Sequence, residues 1–296
     1  MRLRSHHHAE FPADRLRAER EEAISVCVPA REEAATIAAV VAALMALREA
    51  GIVDQVVVVD GESRDGTAAI AAELGAEVHS AADLLPQFGP VLGKGDAMWR
   101  ALSVLTGDLI CFVDADSEDF GQHFACGLLG PLVCFPGVQF VKGFYRRPFK
   151  EYGATQPTGG GRVTALTARP LLDAFYPELS GVRQPLAGEI AARRELLERM
   201  AFSTGYAVEM GLLLDVHADV GLPALAQVDL DVRQNRHQRL EDLMPMAGEV
   251  LAAVTSRLRR EGRLLDGAGA GAGAELLERP PLASLCGLQR AKWSVA

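Results

Sequence analysis

The sequence lacks any apolar run long enough to cross a membrane. No stretch of roughly 18 or more consecutive apolar residues occurs, and the first residues show no signal-peptide pattern. We therefore expect a cytoplasmic protein with no membrane partner.

Closely paired cysteines are also lacking. The five cysteines stand at irregular spacings without a Cys-x-x-Cys pair, and at least two fall within apolar, strand-like runs. This pattern predicts buried free thiols in a reducing compartment. The cysteines are Cys27, Cys111, Cys126, Cys134 and Cys286.

The chain has fewer basic than acidic residues. The formal net charge is -9 at pH 7. Phosphate backbones and anionic lipids do not attract an acidic surface, so we expect no nucleic-acid partner. Local clusters of arginine can still bind small anions.

Glycine is missing from the first predicted strand-to-helix turn, which reads Pro29-Ala-Arg-Glu-Glu33. A dinucleotide-binding Rossmann domain would carry Gly-x-Gly-x-x-Gly there, which argues against that function. Gly93-Lys-Gly95 also lacks the eight-residue pattern of a P-loop.

What the chain does contain is a repeated alternation of apolar strands and alanine-rich helices. Its 296 residues, 49% of them hydrophobic, suffice for one large domain with a sizeable core. This alternation predicts an α/β fold with a Rossmann-like, mostly parallel sheet flanked by helices and with its loops gathered at one edge. The predicted strands cover 24–28, 55–59, 77–79 and 109–113, and the predicted helices cover 34–50, 67–74 and 97–106.

The strand over 109–113 runs directly into Asp114-Ala-Asp116. Carboxylates at the carboxyl end of a central strand lie where open α/β sheets bind ligands, and hard oxygen ligands suit Mg²⁺ or Mn²⁺ with a diphosphate. A strand that stops in a polar turn is an alternative for an isolated Asp-x-Asp.

A glycine run, Gly159-Gly-Gly-Arg-Val-Thr164, forms a second polar segment. At a helix start it would present backbone N–H groups, a guanidinium and a hydroxyl within one turn, which suits a phosphate or a carboxylate. The alternative is a flexible loop with a solvated arginine.

Four segments in this order resemble the nucleotide-sugar glycosyltransferases of the GT-A fold: Val28 to Glu33, Val59 to Thr67, Gly93 to Gly95 and Val113 to Asp116. The resemblance implies that the first two loops hold the nucleoside and that the Asp-x-Asp holds Mg²⁺ or Mn²⁺ on the diphosphate. The donor-site residues that it implies are Pro29, Ala30, Glu33, Asp60, Gly61, Ser63, Lys94, Asp114, Ala115 and Asp116.

The downstream segments at 140–148, 159–164, 183–189 and 205–211 resemble the glucosyl-3-phosphoglycerate and mannosyl-3-phosphoglycerate synthases of actinobacterial type, retaining enzymes of glycosyltransferase family 81. The resemblance implies a homodimer that transfers glucose from UDP-glucose, or mannose from GDP-mannose, to 3-phosphoglycerate. It implies catalytic roles for Asp116, Glu209 and Lys94. The further residues that it implies are Gln184 and Leu186 beside the donor, and Gly161, Arg162, Val163, Thr164 and Asn235 at the acceptor.

A third metal ligand is the least certain part of this comparison, because the chain departs from its relatives there. Relatives tend to read His-Arg-Asn, whereas this chain reads Asn235-Arg-His237. Either His237 binds the metal ion with Asp114 and Asp116, as we predict, or it faces the acceptor and His217 or water completes the coordination.

We expect four segments along the chain: a mobile or peripherally packed leader over 1–22, a nucleotide-sugar half over 23–136, an acceptor half over 137–265, and a Gly/Ala linker with a tail over 266–296. Two other functions stay open. A sugar-phosphate nucleotidyltransferase would also use lysine and aspartate at a sheet edge, and a noncatalytic protein would bind the nucleotide sugar without turnover.

Overall fold

The computed structural model describes residues 2–151, 154–156, 160–234, 239–265 and 276–285. Within these residues most strands are short and flanked by helices. The strands are β1 (Arg4–His7), β2 (Ile24–Ala30), β3 (Gln55–Asp60), β4 (Glu77–Ser80), β5 (Leu109–Phe112), β6 (Phe140–Arg146), β7 (Phe149–Glu151), β8 (Ala154–Gln156), β9 (Ile190–Arg193), β10 (Phe202–Ser203), β11 (Leu225–Val232) and β12 (Glu278–Arg279).

Eight of these strands form one sheet in the order β1-β11-β6-β9-β5-β2-β3-β4. Only β9 runs antiparallel to its neighbours in this sheet. The mostly parallel α/β sheet predicted from the sequence is therefore confirmed.

Helices cover both faces of the sheet. The alternation within β3 demonstrates this, because Val57 and Val59 belong to one buried apolar cluster whereas Val56 and Val58 belong to the other. The helices are α1 (Ala13–Glu19), α2 (Ile37–Glu49), α3 (Thr67–Glu73), α4 (Lys94–Ala101), α5 (Gln122–Cys134), α6 (Arg169–Phe175), α7 (Arg194–Arg199), α8 (Val208–Val220) and α9 (Leu240–Arg260). No helix of the described residues is long and apolar enough to span a bilayer.

The strand order reverses between β2 and β5. From β2 the chain proceeds through β3 to β4 on one side, and then returns to place β5 on the other side of β2. Open α/β sheets bind ligands in the crevice at such a reversal, at the carboxyl ends of the strands. The loops that follow β2 and β5 are those that carry Glu33 and the Asp-x-Asp.

The N-terminal segment differs from the mobile leader that the sequence predicts. Residues Arg4 to His7 pair in parallel with Ala226 to Asp229, so that β1 forms an edge of the main sheet. Leu16 of α1 is fully buried. Arginine and histidine dominate β1, which conceals its strand character from an analysis that looks for apolar runs.

A segment near the C-terminus packs on the chain itself. β12 pairs antiparallel with β10, and Arg279 of β12 contacts both carboxylate oxygens of the buried Asp96 at 2.8 Å. Asp96 lies in the first turn of α4, the helix that begins with Lys94. Residues 266–275, predicted as a linker, and Cys286 lie outside the described residues; Cys27, Cys111 and Cys126 are buried free thiols, as predicted.

Candidate active site at the carboxyl edge of the sheet

The Asp-x-Asp follows β5 at the reversal of the strand order. Asp114 is largely buried, whereas 35% of the Asp116 side chain is exposed. The side chain of Ala115 between them is buried. The two carboxylates therefore present one inner and one outer group to the same cleft.

Lys94, the first residue of α4, links this pair to a distant helix. Its Nζ donates to Asp114 Oδ1 at 2.6 Å and to Glu209 Oε1 at 2.7 Å. Gly188 makes room for this contact, because a Cβ there would lie 2.2 Å from Asp114 Oδ1 and 2.4 Å from Lys94 Nζ. Although burial opposes the charge on the lysine, the two carboxylates hold the pKa of Lys94 well above its usual value.

Arg233, just beyond β11, is the second cation of the site. Its guanidinium lies 3.1 Å from Asp114 Oδ2 and 3.1 Å from Glu189 Oε1, and it also contacts Asp116. Only 2% of its side chain is exposed. Burial alone would raise the pKa of Asp114, but the charges of Lys94 and Arg233 outweigh burial and hold that pKa well below the usual range.

A group of buried polar side chains contacts Arg233. The guanidinium donates to Tyr145 Oη at 2.7 Å, and Tyr145 Oη donates to Glu189 Oε2 at 2.8 Å. Glu189 is 1% exposed, and burial raises its pKa despite the charge of Arg233. Next to this group, burial lowers the pKa of Lys142 to about 8, and its Nζ donates to the Ala187 carbonyl at 2.9 Å.

The loops after β2 and β3 form the part of the cleft predicted for the nucleoside. The Glu32 N–H donates to Ser63 Oγ at 2.9 Å, and the Gly61 N–H donates to the Ala30 carbonyl at 2.8 Å, so the two loops are joined. Asp60 is 6% exposed: one of its oxygens accepts from the Ser63 N–H, while the other, Oδ1, is buried with no protein partner. Such an orphaned acceptor fits an N–H donor from a ligand. Pro29 lies in β2 immediately before Ala30.

The charge of the cleft fits a divalent cation. Burial, reinforced by the nearby charge of Asp116, raises the pKa of Glu33 to about 7. The charges of Asp116 and Asp114 add to the effect of burial, so negative charge from the Asp-x-Asp acts on Glu33. Asp116 and Asp114 offer the hard oxygen ligands that Mg²⁺ and Mn²⁺ prefer.

A pocket of about 160 Å³ lies beside the carboxylates and carries positive charge. Gly161 and Thr164, two of the residues predicted for the acceptor, line it together with Arg147, Arg169 and Arg183, whereas Arg162 is not among its lining residues. A single turn of π-helix begins at Thr164. Such turns are frequent at functional sites.

Three residues predicted for this region, Val163, Gln184 and Leu186, differ in their relation to the pocket. Val163 is only 9% exposed, joins the apolar core and is not among the residues that line the pocket. Gln184 and Leu186 line the pocket. The Gln184 amide also hydrogen-bonds in both directions with the Tyr145 backbone, which ties the loop before β9 to β6.

The predicted third metal ligand cannot be placed, because Asn235 and His237 lie outside the described residues. The alternative ligand, His217, lies further along α8 than Glu209. It lies eight residues after Glu209 on α8, and a rise of 1.5 Å per residue separates the two by about 12 Å.

Several residues of the site escaped the sequence interpretation, chiefly Arg233, Glu189 and Tyr145. Each lies at or near the end of a strand at the same sheet edge as Asp114, which is the signal that could have identified them. Their pairing with the Asp-x-Asp depends on strand order, which the sequence does not reveal.

The chain is similar to known sequences over most of its length. Residues 25–126 match the sequence model of Glycosyl transferase family 2. The chain is 41% identical over 267 residues to the glucosyl-3-phosphoglycerate synthase of Petrotoga mobilis, which covers 88% of this chain and 82% of that protein. It is 47% identical over 234 residues to the glucosyl-3-phosphoglycerate synthase of Mycolicibacterium smegmatis, which covers 79% of this chain and 77% of that protein.

Solved structures agree with the sequence relatives. The crystal structure of mannosyl-3-phosphoglycerate synthase from Rubrobacter xylanophilus matches with a TM-score of 0.88 and 45% identity, over 95% of this chain and 97% of that chain. Glucosyl-3-phosphoglycerate synthase from Mycobacterium tuberculosis, solved with Mn²⁺, UDP-glucose and phosphoglyceric acid, matches with a TM-score of 0.83 and 39% identity, over 96% of this chain and 99% of that chain.

Proposed function

Because the chain belongs to the glucosyl-3-phosphoglycerate synthase family, we propose that it transfers a hexose from a nucleoside diphosphate sugar to D-3-phosphoglycerate. Glucose from UDP-glucose is the first choice, since both sequence relatives described above are glucosyl synthases and a structural neighbour was solved with UDP-glucose. Mannose from GDP-mannose is the second, since a mannosyl synthase is among the structural neighbours.

One observation carries this proposal. The Lys94, Asp114 and Glu209 cluster lies at the reversal of the sheet, directly beside a pocket that three arginines line. A metal-binding edge for a diphosphate and a basic pocket for a phosphorylated acid are the two subsites that this reaction needs.

On the donor side, we assign the nucleoside to the joined loops of Ala30, Gly61 and Ser63. The orphaned Oδ1 of Asp60 would accept from the base or the ribose, and Glu33 would approach the ribose or the metal ion. When bound to Asp116 and Asp114, Mg²⁺ or Mn²⁺ supplies charge neutralisation for the leaving diphosphate.

Lys94 would hold the diphosphate at the same place. An ammonium group has three N–H donors, and two of them serve Asp114 and Glu209. We assign the third to a diphosphate oxygen, so that charge developing on the leaving group meets a fixed cation.

Glu209 would lie against the transferred hexose. Lys94 holds one of its oxygens, which fixes the carboxylate on the first turn of α8 and leaves the other oxygen to face the cleft. Bound at the proposed acceptor residues, the acceptor hydroxyl would lie beside the donor, so that the entropy cost of ordering it would be met on binding rather than in the transition state. Retention of the anomeric configuration is an implication of the family resemblance.

On the acceptor side, we propose that Gly161, Arg162 and Thr164 bind 3-phosphoglycerate. The pocket adds Arg169 and Arg183, which the sequence interpretation did not assign. Asn235 and His237 remain predicted for the acceptor and the metal ion. The described chain ends there at Gln234, one residue after Arg233, which contacts Asp116.

The test is an assay of product and leaving group. Purified protein is incubated with Mg²⁺, 3-phosphoglycerate and either UDP-glucose or GDP-mannose, and free UDP or GDP is measured together with the glycosylated acid. We expect stoichiometric nucleoside diphosphate and product from one donor. Pyrophosphate release from a nucleoside triphosphate and a sugar phosphate would instead indicate a nucleotidyltransferase, and donor binding without product would indicate a binding protein.

We also propose a homodimer, on the family resemblance alone. Sedimentation velocity on the full chain tests it. A single species of 31.6 kDa at assay concentration would contradict it.

A further inference from the structure

A second group of metal-ligating side chains lies outside the proposed active site, where β1 meets β11. His8 Nε2 is 2.7 Å from Asp231 Oδ2, and His7 Nε2 is 3.4 Å from Asp231 Oδ1. One ligand atom from each of the three residues lies within 4.8 Å of the others. Within the described part of the chain, no other group of three histidine, cysteine or acidic side chains meets that condition.

Two features of the backbone bring these side chains together. Successive side chains of a strand point to opposite faces, but β1 ends at His7 and a 3-10 turn begins at His8, so the two rings lie side by side with centroids 4.4 Å apart. On β11, Asp231 lies in an irregularity of the strand pairing and has a left-handed φ of 68°. Its N–H donates to Asp229 Oδ1 at 3.0 Å, which fixes the turn.

The chemistry of the group selects a class of metal. Two imidazoles and one carboxylate suit Zn²⁺ and similar transition metals, whereas Mg²⁺ prefers oxygen ligands only. In a tetrahedral zinc site the ligand atoms lie about 3.4 Å apart, so the present separations need adjustments of about 1 Å. Arg146, whose Nη2 is 3.8 Å from Asp231 Oδ1 and whose side chain is 67% exposed, can move away.

We propose that His7, His8 and Asp231 form a binding site for a divalent transition metal ion of the zinc type, with water in the fourth position. The ion would join the edge strand β1 to β11. Because Asp231 lies two residues before Arg233, the site would brace the end of the strand that supplies the proposed active site with its buried arginine. The proposal does not depend on the identity of the substrates.

The neighbouring His6 provides a matched control. It belongs to the same histidine triplet, but its Nδ1 pairs with Glu10 at 3.0 Å and its ring stacks on Phe135 with centroids 5.1 Å apart. A site of defined geometry therefore needs His8 but not His6. Loose chelation by a histidine-rich stretch would need both.

The experiment measures Zn²⁺ binding to the full chain by competition with a chromophoric chelator. Excess Mg²⁺ and UDP are present throughout, to occupy the proposed catalytic metal position. We expect one tightly bound equivalent of Zn²⁺ in the wild type and a higher thermal unfolding midpoint with Zn²⁺. In His8→Gln and in Asp231→Asn, binding should weaken by at least about tenfold, and in His6→Gln it should not change.

Asp231→Asn keeps both histidines, so it remains informative if a substitution in β1 disturbs the strand. Absence of a Zn²⁺ equivalent in the wild type would overturn the proposal. So would a loss of affinity in His6→Gln as large as that in His8→Gln, since it would indicate unspecific chelation.

Discussion

At the scale of single residues, the proposed active site is a set of carboxylates paired with two cations, the half-buried Lys94 and the buried Arg233. Asp114 is shared between Lys94 and Arg233, whereas Asp116 is the more exposed of the pair. The chemistry of each carboxylate can therefore be tested separately from the stability of the fold.

Replacement of Asp116 should remove activity without unfolding the chain. In Asp116→Asn the outer metal ligand is lost, so we expect kcat to fall by at least about 100-fold. The thermal midpoint should change little, because the side chain is partly exposed and Arg233 keeps Asp114 and Glu189. Asp83→Asn at an exposed turn is the matched control, and full activity of the Asp116 variant would remove this residue from the metal site.

Replacement of Arg162 should affect the acceptor more than the donor. A charge-assisted contact is worth about 1.5 to 3 kcal/mol, so Arg162→Ala should raise the KM for 3-phosphoglycerate roughly tenfold or more and leave the donor KM nearly unchanged. Arg199→Ala is the control, since Arg199 pairs with Asp219 on the surface. An unchanged acceptor KM would indicate that the pocket arginines, rather than Arg162, bind the phosphate of 3-phosphoglycerate. Arg169→Ala would then test that assignment.

Lys142 should make stability depend on pH in the alkaline range. The unfolded chain keeps the lysine proton up to the ordinary pKa near 10.5, whereas burial lowers the folded-state pKa to about 8. Between these values the unfolded state binds more protons, so the free energy of unfolding should rise with pH by up to about 3 kcal/mol from this group. Lys142→Met should lack that rise.

Denaturant titrations of both proteins between these pH values measure the difference. The difference between the two curves isolates Lys142, because the buried cysteines and Tyr145, whose pKa values burial raises, titrate alike in both proteins. Parallel pH curves for the two proteins would show that Lys142 titrates normally.

At the scale of elements, the short strand β12 controls how α4 presents Lys94. Arg279 of β12 shares the buried Asp96 with Arg100, and the Trp99 indole donates to the Pro280 carbonyl at 2.9 Å. The helix that begins with Lys94 is therefore held by a segment more than 180 residues away in sequence.

Removal of Arg279 should loosen this attachment. In Arg279→Ala, Asp96 keeps only Arg100 as a charged partner, so we expect a loss of about 1.5 to 3 kcal/mol in the free energy of unfolding. We also expect a lower kcat with an unchanged KM for the acceptor, because Lys94 shares the first turn of α4 with Asp96 whereas no residue of α4 lines the proposed acceptor pocket.

Arg260→Ala is the matched control for the strand. Arg260 reaches Glu278 of β12 at 3.9 Å from an exposed position, and such pairs contribute little. Equal losses of stability in both variants would indicate that β12 acts as a whole and that the Asp96 contact has no special role.

At the scale of the whole molecule, the sequence predicts which residues lie along each strand. It does not predict the contacts that depend on the order of the strands in the sheet. The strands β2, β3 and β5 carry strong apolar signals, so the pattern predicts the loops that follow them and the position of the Asp-x-Asp at a strand end, whereas the donor role of these loops came from the family resemblance. The partnership of Arg233 with Glu189 could not be predicted, because it joins residues across β11, β6 and β9. The pairing of β1 was missed for a different reason. Its arginine and histidines give no apolar signal, and they form a strand because they pair with β11.

The contact of Arg233 with Asp116 has a consequence for how the metal ion and the nucleotide affect each other's binding. The guanidinium of Arg233 contacts Asp116, so a divalent ion that binds Asp116 without a nucleotide competes with this cation. A diphosphate that arrives with the ion offers the arginine a new anionic partner. Metal and nucleotide should therefore bind with positive linkage, and each should raise the affinity for the other by the same factor, about 5- to 150-fold. Calorimetric titration of Mn²⁺ with and without UDP, and of UDP with and without Mn²⁺, should give equal ratios of the two dissociation constants. The cleft would then bind both ligands together in preference to either one alone.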